Sequence, residues 1–190
     1  MKDRKNLIYT IAACLIVFGY AYYSFFVKNA DKSAAESKLE AILGTKVNLA
    51  DSTYMARDGS FLSMESSRYP LIVEYYDNEV CTSCSERGFR QFSTLLDEVD
   101  STKYSFALIL HADSVEYDVF FDMLDSIGIN CRYYMDTDGR FLTDNPVFAT
   151  SDKFYRTFLL NGNREVEVAG LPIYNNKLWD LYKARINAIN

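Results

Sequence analysis

The sequence has little of what several common classes of protein require. Its 190 residues include four cysteines, three prolines and one histidine, and they carry a net charge of −6. Four cysteines are too few for a chain of this length to be held together by disulfides. The acidic balance lacks the basic face that binds nucleic acid, so we expect no nucleic-acid partner. With 49% apolar and 24% charged residues, the composition is that of a globular protein with its own core.

One long uncharged segment lies near the amino terminus. Residues 7–27 contain no charged side chain, and a helix of roughly 20 apolar residues crosses a bilayer. Lys2, Arg4 and Lys5 precede this segment, and basic flanks stay on the cytoplasmic side. We therefore expect a single-pass anchor with residues 28–190 on the outer side of the membrane; in a bacterium with two membranes, this is an inner-membrane anchor with the carboxy-terminal domain in the periplasm. Secretion after cleavage of a signal peptide, and a lipid anchor at Cys14, are the alternatives.

The chain after the anchor divides into a short connecting segment and one domain. Residues 1–27 form the cytoplasmic stub and the anchor, residues 28–43 form a polar tether with a short helix, and residues 44–190 form the domain. Asp58-Gly59 lies between short apolar runs and predicts a hairpin. Strands and helices then alternate, with a strand at 71–76, a helix at 81–99, a strand at 104–110, a helix at 115–127, a strand at 131–135, a hairpin at 156–168 and a last helix capped by Asn175 or Asn176.

This order predicts an α/β fold. Strands that are joined by helices should be parallel, and the final hairpin should add antiparallel strands to the same sheet. Apolar residues at helical spacing mark the helix faces that should pack on that sheet. They are Phe89, Phe92, Leu95, Leu96 and Val99 in the first helix, Val115, Val119, Phe120, Met123, Leu124 and Ile127 in the second, and Leu178, Leu181, Tyr182, Ile186 and Ile189 in the last.

Cys81 and Cys84 lie where the first core strand leads into its helix. Unpaired backbone N–H groups and the helix dipole stabilise a thiolate at a helix amino terminus. A thiolate attacks disulfides, whereas a thiol does not. Cys84 lies one turn further on and can resolve the mixed disulfide. The pattern therefore predicts a redox pair with Cys81 as the nucleophile, and two inert buried cysteines are the alternative.

The same cysteines could instead bind a metal. A structural zinc site needs four ligands, and the soft or imidazole donors nearby are Cys81, Cys84, Cys131 and His111. Cys131 begins its strand and should lie at the opposite edge of the sheet from the other three, so we expect no zinc site. Copper binding with His111 as an added ligand remains an alternative.

The element order with Cys-x-x-Cys at the start of the first core helix resembles the thioredoxin fold. The chain is most similar to membrane-anchored, TlpA-like thiol-disulfide oxidoreductases, and the resemblance extends from about residue 44 to residue 190. Further matching features are the Asp58-Gly59 hairpin, the turn at 135–139 and the run Thr157-Phe-Leu-Leu-Asn161. The resemblance implies a three-layer fold, with a central mixed sheet, helices on both faces and an N-terminal hairpin.

The resemblance also implies a role for Glu74. Members of the family place an acid at the matching strand position, where it helps to move the proton of the second cysteine. A carboxylate inside a strand that is covered on both faces is costly, so Glu74 should have a raised pKa and accept the proton of Cys84. The alternative is that Glu74 reaches solvent.

The sequence departs from the family on both sides of the cysteine pair. Val80 replaces the usual tryptophan, and Thr82-Ser83 is not one of the common dipeptides between the cysteines. The family's cis-proline before the next core strand is missing, and Tyr155 or Arg156 takes its position, with an expected trans bond. We expect these five residues to line the surface that binds the partner. Arg156 would further stabilise the thiolate if it points at Cys81.

We therefore predict a membrane-tethered, extracytoplasmic thiol-disulfide oxidoreductase. It would exchange disulfides with protein substrates through Cys81 and Cys84, without a dissociable cofactor or metal. The family implies a membrane electron donor. A non-catalytic binding module, or a copper carrier, with the same fold is the alternative. The sequence leaves open whether the protein reduces or oxidises its substrates.

Overall fold

The computed structural model describes seven stretches of the chain, residues 35–49, 54–56, 59–60, 69–77, 82–112, 116–129 and 132–188. The chain divides into two compact units, Met1–Glu40 and Ala41–Asn190. Residues 35–40 of the first unit are helical, and this helix (α1) continues to residue 42. The predicted anchor, residues 7–27, and most of the tether lie outside the described residues.

Within the described stretches, no helix has the length and apolar character that crossing a membrane requires.

A mixed sheet of six strands is the centre of the second unit. The strands are β1 (Met55–Ala56), β2 (Leu71–Asp77), β3 (Ser105–His111), β4 (Arg132–Met135), β5 (Thr157–Leu160) and β6 (Val166–Ala169), in the spatial order β1-β4-β3-β2-β5-β6. β2, β3 and β4 are parallel. β5 is antiparallel to β2, and β6 is antiparallel to β5. The predicted parallel core and antiparallel hairpin are therefore confirmed.

The predicted first hairpin is described only in part. β1 pairs antiparallel with β4 at the edge of the sheet. The backbone N–H of Ala56 donates to the Ser60 carbonyl at 2.7 Å, and Gly59 has a φ of 80°. A left-handed glycine and this hydrogen bond are typical of a tight reversal. The apolar run after Asp58-Gly59, which contains Phe61 and Leu62, lies outside the described residues.

Three longer helices and two short ones follow in the second unit. They are α2 (Thr82–Leu96), α3 (Glu116–Ile127), α4 (Arg140–Asp144), α5 (Pro146–Ala149) and α6 (Asn176–Ala188), with 3₁₀ turns at Lys153–Arg156 and Pro172–Tyr174. Asn175 caps α6, since its side-chain oxygen accepts a hydrogen bond from the Leu178 N–H at 3.2 Å. The sequence did not predict α4 and α5, because helices of five and four residues are too short to show apolar periodicity.

Helices α2, α3 and α6 pack on one face of the sheet around a large apolar cluster. Phe89, Phe92 and Leu96 of α2 are buried there, as predicted. Two predictions were wrong, because Val119 is 63% exposed and Leu181 is 43% exposed. α3 instead buries Tyr117 and Phe121 in the cluster, and α6 buries Trp179. These residues lie on the adjacent side of each helix. A helix with apolar residues on two sides does not itself specify which side contacts the sheet.

The opposite face of the sheet carries a smaller aromatic layer. Tyr75 of β2 stacks on Phe141 of α4 with ring centroids 4.5 Å apart. Phe148 of α5 stacks on Phe158 of β5 at 4.7 Å. The two short helices therefore cover the face that α2, α3 and α6 leave open, so the central strand β2 is covered on both sides.

Candidate active site

The end of β2 and the start of α2 frame the candidate site. β2 ends at Asp77, and α2 begins at Thr82. Val80 and Cys81 lie between them, outside the described residues. Thr82, Ser83 and Cys84 are helical in the backbone, and the description does not extend to their side chains. The first N–H groups of α2 have no partner within the helix, so Cys81 directly precedes a helix amino terminus at the carboxyl end of a central strand.

Glu74 lies in the middle of β2, on the face that α2 and α6 cover. It pairs in register with Leu108 of β3 and Thr157 of β5. Side chains alternate along a strand, so Glu74 shares a face with Ile72, which belongs to the large apolar cluster. The residue as a whole is partly exposed, but its Oε2 atom is buried and has no hydrogen-bond partner among the described residues.

This environment raises the pKa of Glu74 to about 8, and the cause is the burial of the carboxyl group. The predicted rise in pKa is therefore confirmed, while the proton-accepting role stays a prediction. Tyr182 of α6 is electrostatically coupled to the same carboxyl. Burial, and secondly the charge of Glu74, raise the pKa of the Tyr182 phenol, which lies 3.0 Å from the Gly170 carbonyl oxygen.

Arg156 is, with Tyr155, one of the two residues expected where the resemblance places a proline, and it forms an ion pair within the site. Its guanidinium donates to the carboxylate of Asp77. Arg156 is 7% exposed, and its guanidinium carbon lies 5.8 Å from the centre of the Tyr75 ring. Lys153 donates to the other oxygen of Asp77 at 2.8 Å. Burial raises the pKa of Asp77, but the hydrogen bonds from Lys153 and Arg156 outweigh it, so the pKa is lowered.

Sequence reasoning identified Arg156 but missed its two neighbours. The prediction that Arg156 stabilises the Cys81 thiolate depends on its side chain pointing at Cys81. Its guanidinium pairs with Asp77, and Cys81 lies outside the described residues, so this stays a prediction. The sequence does contain a signal for this pairing. Asp77 is the last residue of a central strand, and the cations Lys153 and Arg156 directly precede the strand that pairs with it.

Within the described residues the one cis peptide bond joins Tyr69 to Pro70, so the segment at 153–157 is trans, as predicted.

Tyr155 lies beside this ion pair at the edge of the site. It is partly buried, and its ring meets that of Phe154 edge-on with centroids 5.4 Å apart. Phe154 is 38% exposed. The segment Lys153–Arg156 therefore presents an aromatic surface to solvent and a cationic surface to Asp77.

His111 ends β3, in register with Asp77. Its Nδ1 atom lies 2.7 Å from the carbonyl oxygen of Asp136. Among the described residues, no group of three or more potential ligands could hold a metal ion. Cys81 and Cys131 lie outside those residues, so this finding does not extend to them.

No protein-family model matches the chain, and no curated protein sequence matches it. Solved structures do resemble it. The C-terminal domain of a candidate thiol-disulfide oxidoreductase from Bacteroides thetaiotaomicron gives a TM-score of 0.55 at 11% identity, over 77% of this chain and 97% of that one. The thioredoxin domain of a thiol-disulfide oxidoreductase from Bacteroides vulgatus gives 0.54 at 7% identity, over 78% and 98%.

A third similar structure comes from Chlorobium tepidum. It is a candidate thiol:disulfide interchange protein, DsbE, with a TM-score of 0.53 at 14% identity, over 76% of this chain and 97% of that one. At these identities the likeness concerns the fold alone. It agrees with the strand order and with the placement of the helices, and this chain therefore has the thioredoxin-like fold.

Proposed function

We propose that this protein is a thiol-disulfide oxidoreductase that exchanges disulfides with other proteins through Cys81 and Cys84. One observation carries the proposal, namely that α2 begins at Thr82, directly after Cys81, at the carboxyl end of the central parallel strand. A helix amino terminus favours the thiolate form of a cysteine, and the thiolate is the nucleophile in disulfide exchange. The solved structures with this fold that are named above are described as oxidoreductases or interchange proteins of the same chemistry.

The exchange needs two steps. The Cys81 thiolate attacks one sulfur of a partner disulfide, so that a mixed disulfide forms and the second partner sulfur leaves as a thiolate, which takes up a proton. Cys84 then loses its proton and attacks Cys81. The Cys81–Cys84 disulfide forms, and the partner leaves with both of its sulfurs reduced. Two electrons pass from this protein to the partner, and the reverse sequence would oxidise a partner dithiol.

Glu74 is the residue that we propose to accept the proton of Cys84. Its pKa of about 8 lies close to the ordinary thiol pKa of about 8.5, and a proton moves readily between groups of matched pKa. Glu74 is mostly protonated at pH 7, so the form that accepts the proton is its ionised fraction, which grows as the pH rises toward 8. Burial of its Oε2 atom on the α2 face of β2 supports the role. The reaction needs no dissociable cofactor.

We further propose that the domain works outside the cytoplasm, tethered to the bacterial inner membrane by residues 7–27. A tethered protein that reduces its substrates must regain electrons at the membrane. A membrane protein that carries reducing equivalents across the bilayer is therefore the expected donor, and proteins with exposed disulfides are the expected substrates.

Insulin reduction and trapping of mixed disulfides test the proposal. The full chain should reduce insulin with glutathione or dithiothreitol as the electron source, and Cys81→Ser should abolish turnover. Cys84→Ser should accumulate mixed disulfides, because the resolving thiol is absent. Cys131→Ser is the matched control and should behave as the unmodified chain. Turnover that survives Cys81→Ser would refute the proposal, and tight Cu(I) binding without turnover would favour a copper carrier.

The role of Glu74 has its own test. Glu74→Gln should slow resolution of the mixed disulfide and change the pH profile of insulin reduction between about pH 6 and pH 9, because the profile depends on the proton acceptor. An unchanged pH profile in a folded Glu74→Gln protein would show that this carboxyl does not accept the proton.

A further inference from the structure

The 3₁₀ turn Lys153–Arg156 is fixed in place at both ends. The Asp152 side chain accepts a hydrogen bond from the Phe154 N–H at 2.9 Å, which caps the start of the turn. The Phe154 carbonyl accepts one from the Leu171 N–H at 3.0 Å, which holds the turn against the segment after β6. At its other end, Arg156 pairs with Asp77. The turn therefore connects two loops at the same edge of the sheet.

The Asp77–Arg156 pair is shielded from water. The side chain of Arg156 is 9% exposed and that of Asp77 is 13% exposed. Charges in such surroundings interact more strongly than the same charges at the surface, where pairs contribute about 0–1 kcal/mol. The lowered pKa of Asp77 agrees with this. The pair is therefore a permanent feature of the folded domain at neutral pH.

The pair is close in the chain to the candidate nucleophile. Asp77 precedes Cys81 by four residues, and four residues span at most about 14 Å even when fully extended. This upper limit exceeds the Debye length of about 8 Å at physiological ionic strength, but charges that are shielded from water are screened less than exposed ones. A charge at Asp77 or Arg156 can therefore act on a thiol at position 81.

We propose that Asp77 and Arg156 form a positioning element whose opposed charges set the reactivity of Cys81 and thereby the oxidising strength of the Cys81–Cys84 disulfide. The proposal rests on the proposed function. In this arrangement Asp77 has two tasks, because it fastens the segment before Cys81 to the turn at 153–156 and it offsets the positive charges of Arg156 and Lys153. Neither Asp77 nor Arg156 reacts with the substrate itself.

The direction of each effect follows from the charges. Asp77→Asn removes a negative charge beside Arg156 and Lys153, which stabilises the Cys81 thiolate and hence the reduced protein, and the disulfide becomes a stronger oxidant. Arg156→Gln removes a positive charge and has the opposite effect. Coulomb's law for a unit charge at about 10–14 Å in water gives, before screening by salt, about a 1.6- to twofold change in the equilibrium constant with glutathione.

The experiment measures two quantities in the full chain. The first is the pH dependence of Cys81 alkylation by iodoacetamide in a Cys84→Ser background, with Cys14 and Cys131 also replaced by serine. The second is the equilibrium of the Cys81–Cys84 disulfide with glutathione. We expect Asp77→Asn and Arg156→Gln to shift both quantities in opposite directions, and Arg156→Lys, which keeps the charge, to stay near the unmodified protein.

An exposed ion pair elsewhere in the fold is the control. Glu98 accepts a hydrogen bond from Lys183 at 3.2 Å and lies beyond the far end of α2. The helix rises 1.5 Å per residue, so Glu98 is about 20 Å or more from the start of α2, well beyond a Debye length. Glu98→Gln should leave both measurements unchanged. Circular dichroism of every variant establishes that it is folded.

The outcomes separate the two proposals. Opposite shifts in folded variants support the positioning element. Shifts of the same sign in Asp77→Asn and Arg156→Gln would mean that the pair acts only by holding the loops together. Absence of any shift would mean that the pair does not act on Cys81. Either result overturns the inference. If the unmodified protein has no measurable equilibrium with glutathione, the proposed function fails, while the alkylation measurement still decides the effect of the pair. If Arg156→Gln does not fold, the sign of the shift in Asp77→Asn decides whether the charges of the pair act on Cys81.

Discussion

Replacing Glu74 with glutamine should change the free energy of unfolding by an amount that depends on pH. The ordinary pKa of a glutamate is 4.5, and burial raises that of Glu74 to about 8. Below pH 4.5 the carboxyl is protonated in the folded and in the unfolded chain, so its ionisation does not affect stability. Between pH 4.5 and pH 8 the unfolded chain releases the proton and the folded chain keeps it, which favours unfolding by about 1.4 kcal/mol per pH unit.

The expected effect is large enough to measure. Between pH 5 and pH 7 the folded protein with Glu74 loses about 2–3 kcal/mol of its free energy of unfolding through this carboxyl, and glutamine loses none of it. Because Glu74 is partly exposed, we expect this loss in the free energy of unfolding to lie near the lower end of that range. Glutamine at a buried position without a partner has its own cost of about 1–3 kcal/mol, but this cost does not depend on pH. The difference between the two pH values is therefore the diagnostic quantity.

Urea unfolding of the full chain, under reducing conditions at pH 5 and pH 7, provides the assay. Trp179 is the one tryptophan of the sequence and is 3% exposed, so its fluorescence reports on unfolding of the domain. Glu167→Gln, in β6 of the same sheet, gives the effect of the same chemical change at a partly exposed position. If Glu74→Gln changes the free energy of unfolding equally at both pH values, Glu74 is ionised in the folded protein at pH 7 and the reasoning is refuted.

Three further substitutions test the packing around the site. Gly170→Ala should destabilise the domain and displace Phe154, because an added Cβ would lie 2.6 Å from Phe154 Cε1 and the φ of this residue is 123°. Gly162→Ala is the control, since an added Cβ there meets no atom within 4 Å. Equal melting temperatures of the two variants in thermal unfolding would contradict the clash. Asp136→Ala should cost about 1–2 kcal/mol, since Asp136 accepts hydrogen bonds from two backbone N–H groups at the start of α4; an unchanged urea midpoint would show that the cap contributes nothing. Phe148→Ala should cost about 3–5 kcal/mol because Phe148 is fully buried, and a loss below about 1 kcal/mol in urea unfolding would mean that the aromatic layer of α5 adds little to the core.

Much of the fold was predictable because its long elements have local signals. The apolar run in β3 and the helical spacing in α2 are each contained in a single stretch of chain, and both elements are present. Because helices join β2 to β3 and β3 to β4, these strands were expected to be parallel, and they are. Val119 and Leu181 were misplaced because an apolar residue shows only that burial is favourable, and the neighbouring elements decide which side of a helix is covered.

The candidate site was predictable to a smaller extent. The position of Cys81 before a helix and of Glu74 inside a covered strand followed from the element order. Nothing local indicated that Arg156 is held by Asp77, since an arginine near the expected proline position is compatible with several partners. Lys153 and Asp77 were missed for the same reason.

The sequence by itself determined the order and type of the long elements and the placement of the cysteine pair between a strand and a helix. It could do so because apolar periodicity and helix ends depend on residues that are close in the chain. Only the tertiary structure decided that the Glu74 Oε2 atom is buried with no hydrogen-bond partner among the described residues and that Arg156 pairs with Asp77. Those two residues are 79 positions apart, and they meet only because β5 returns antiparallel to β2.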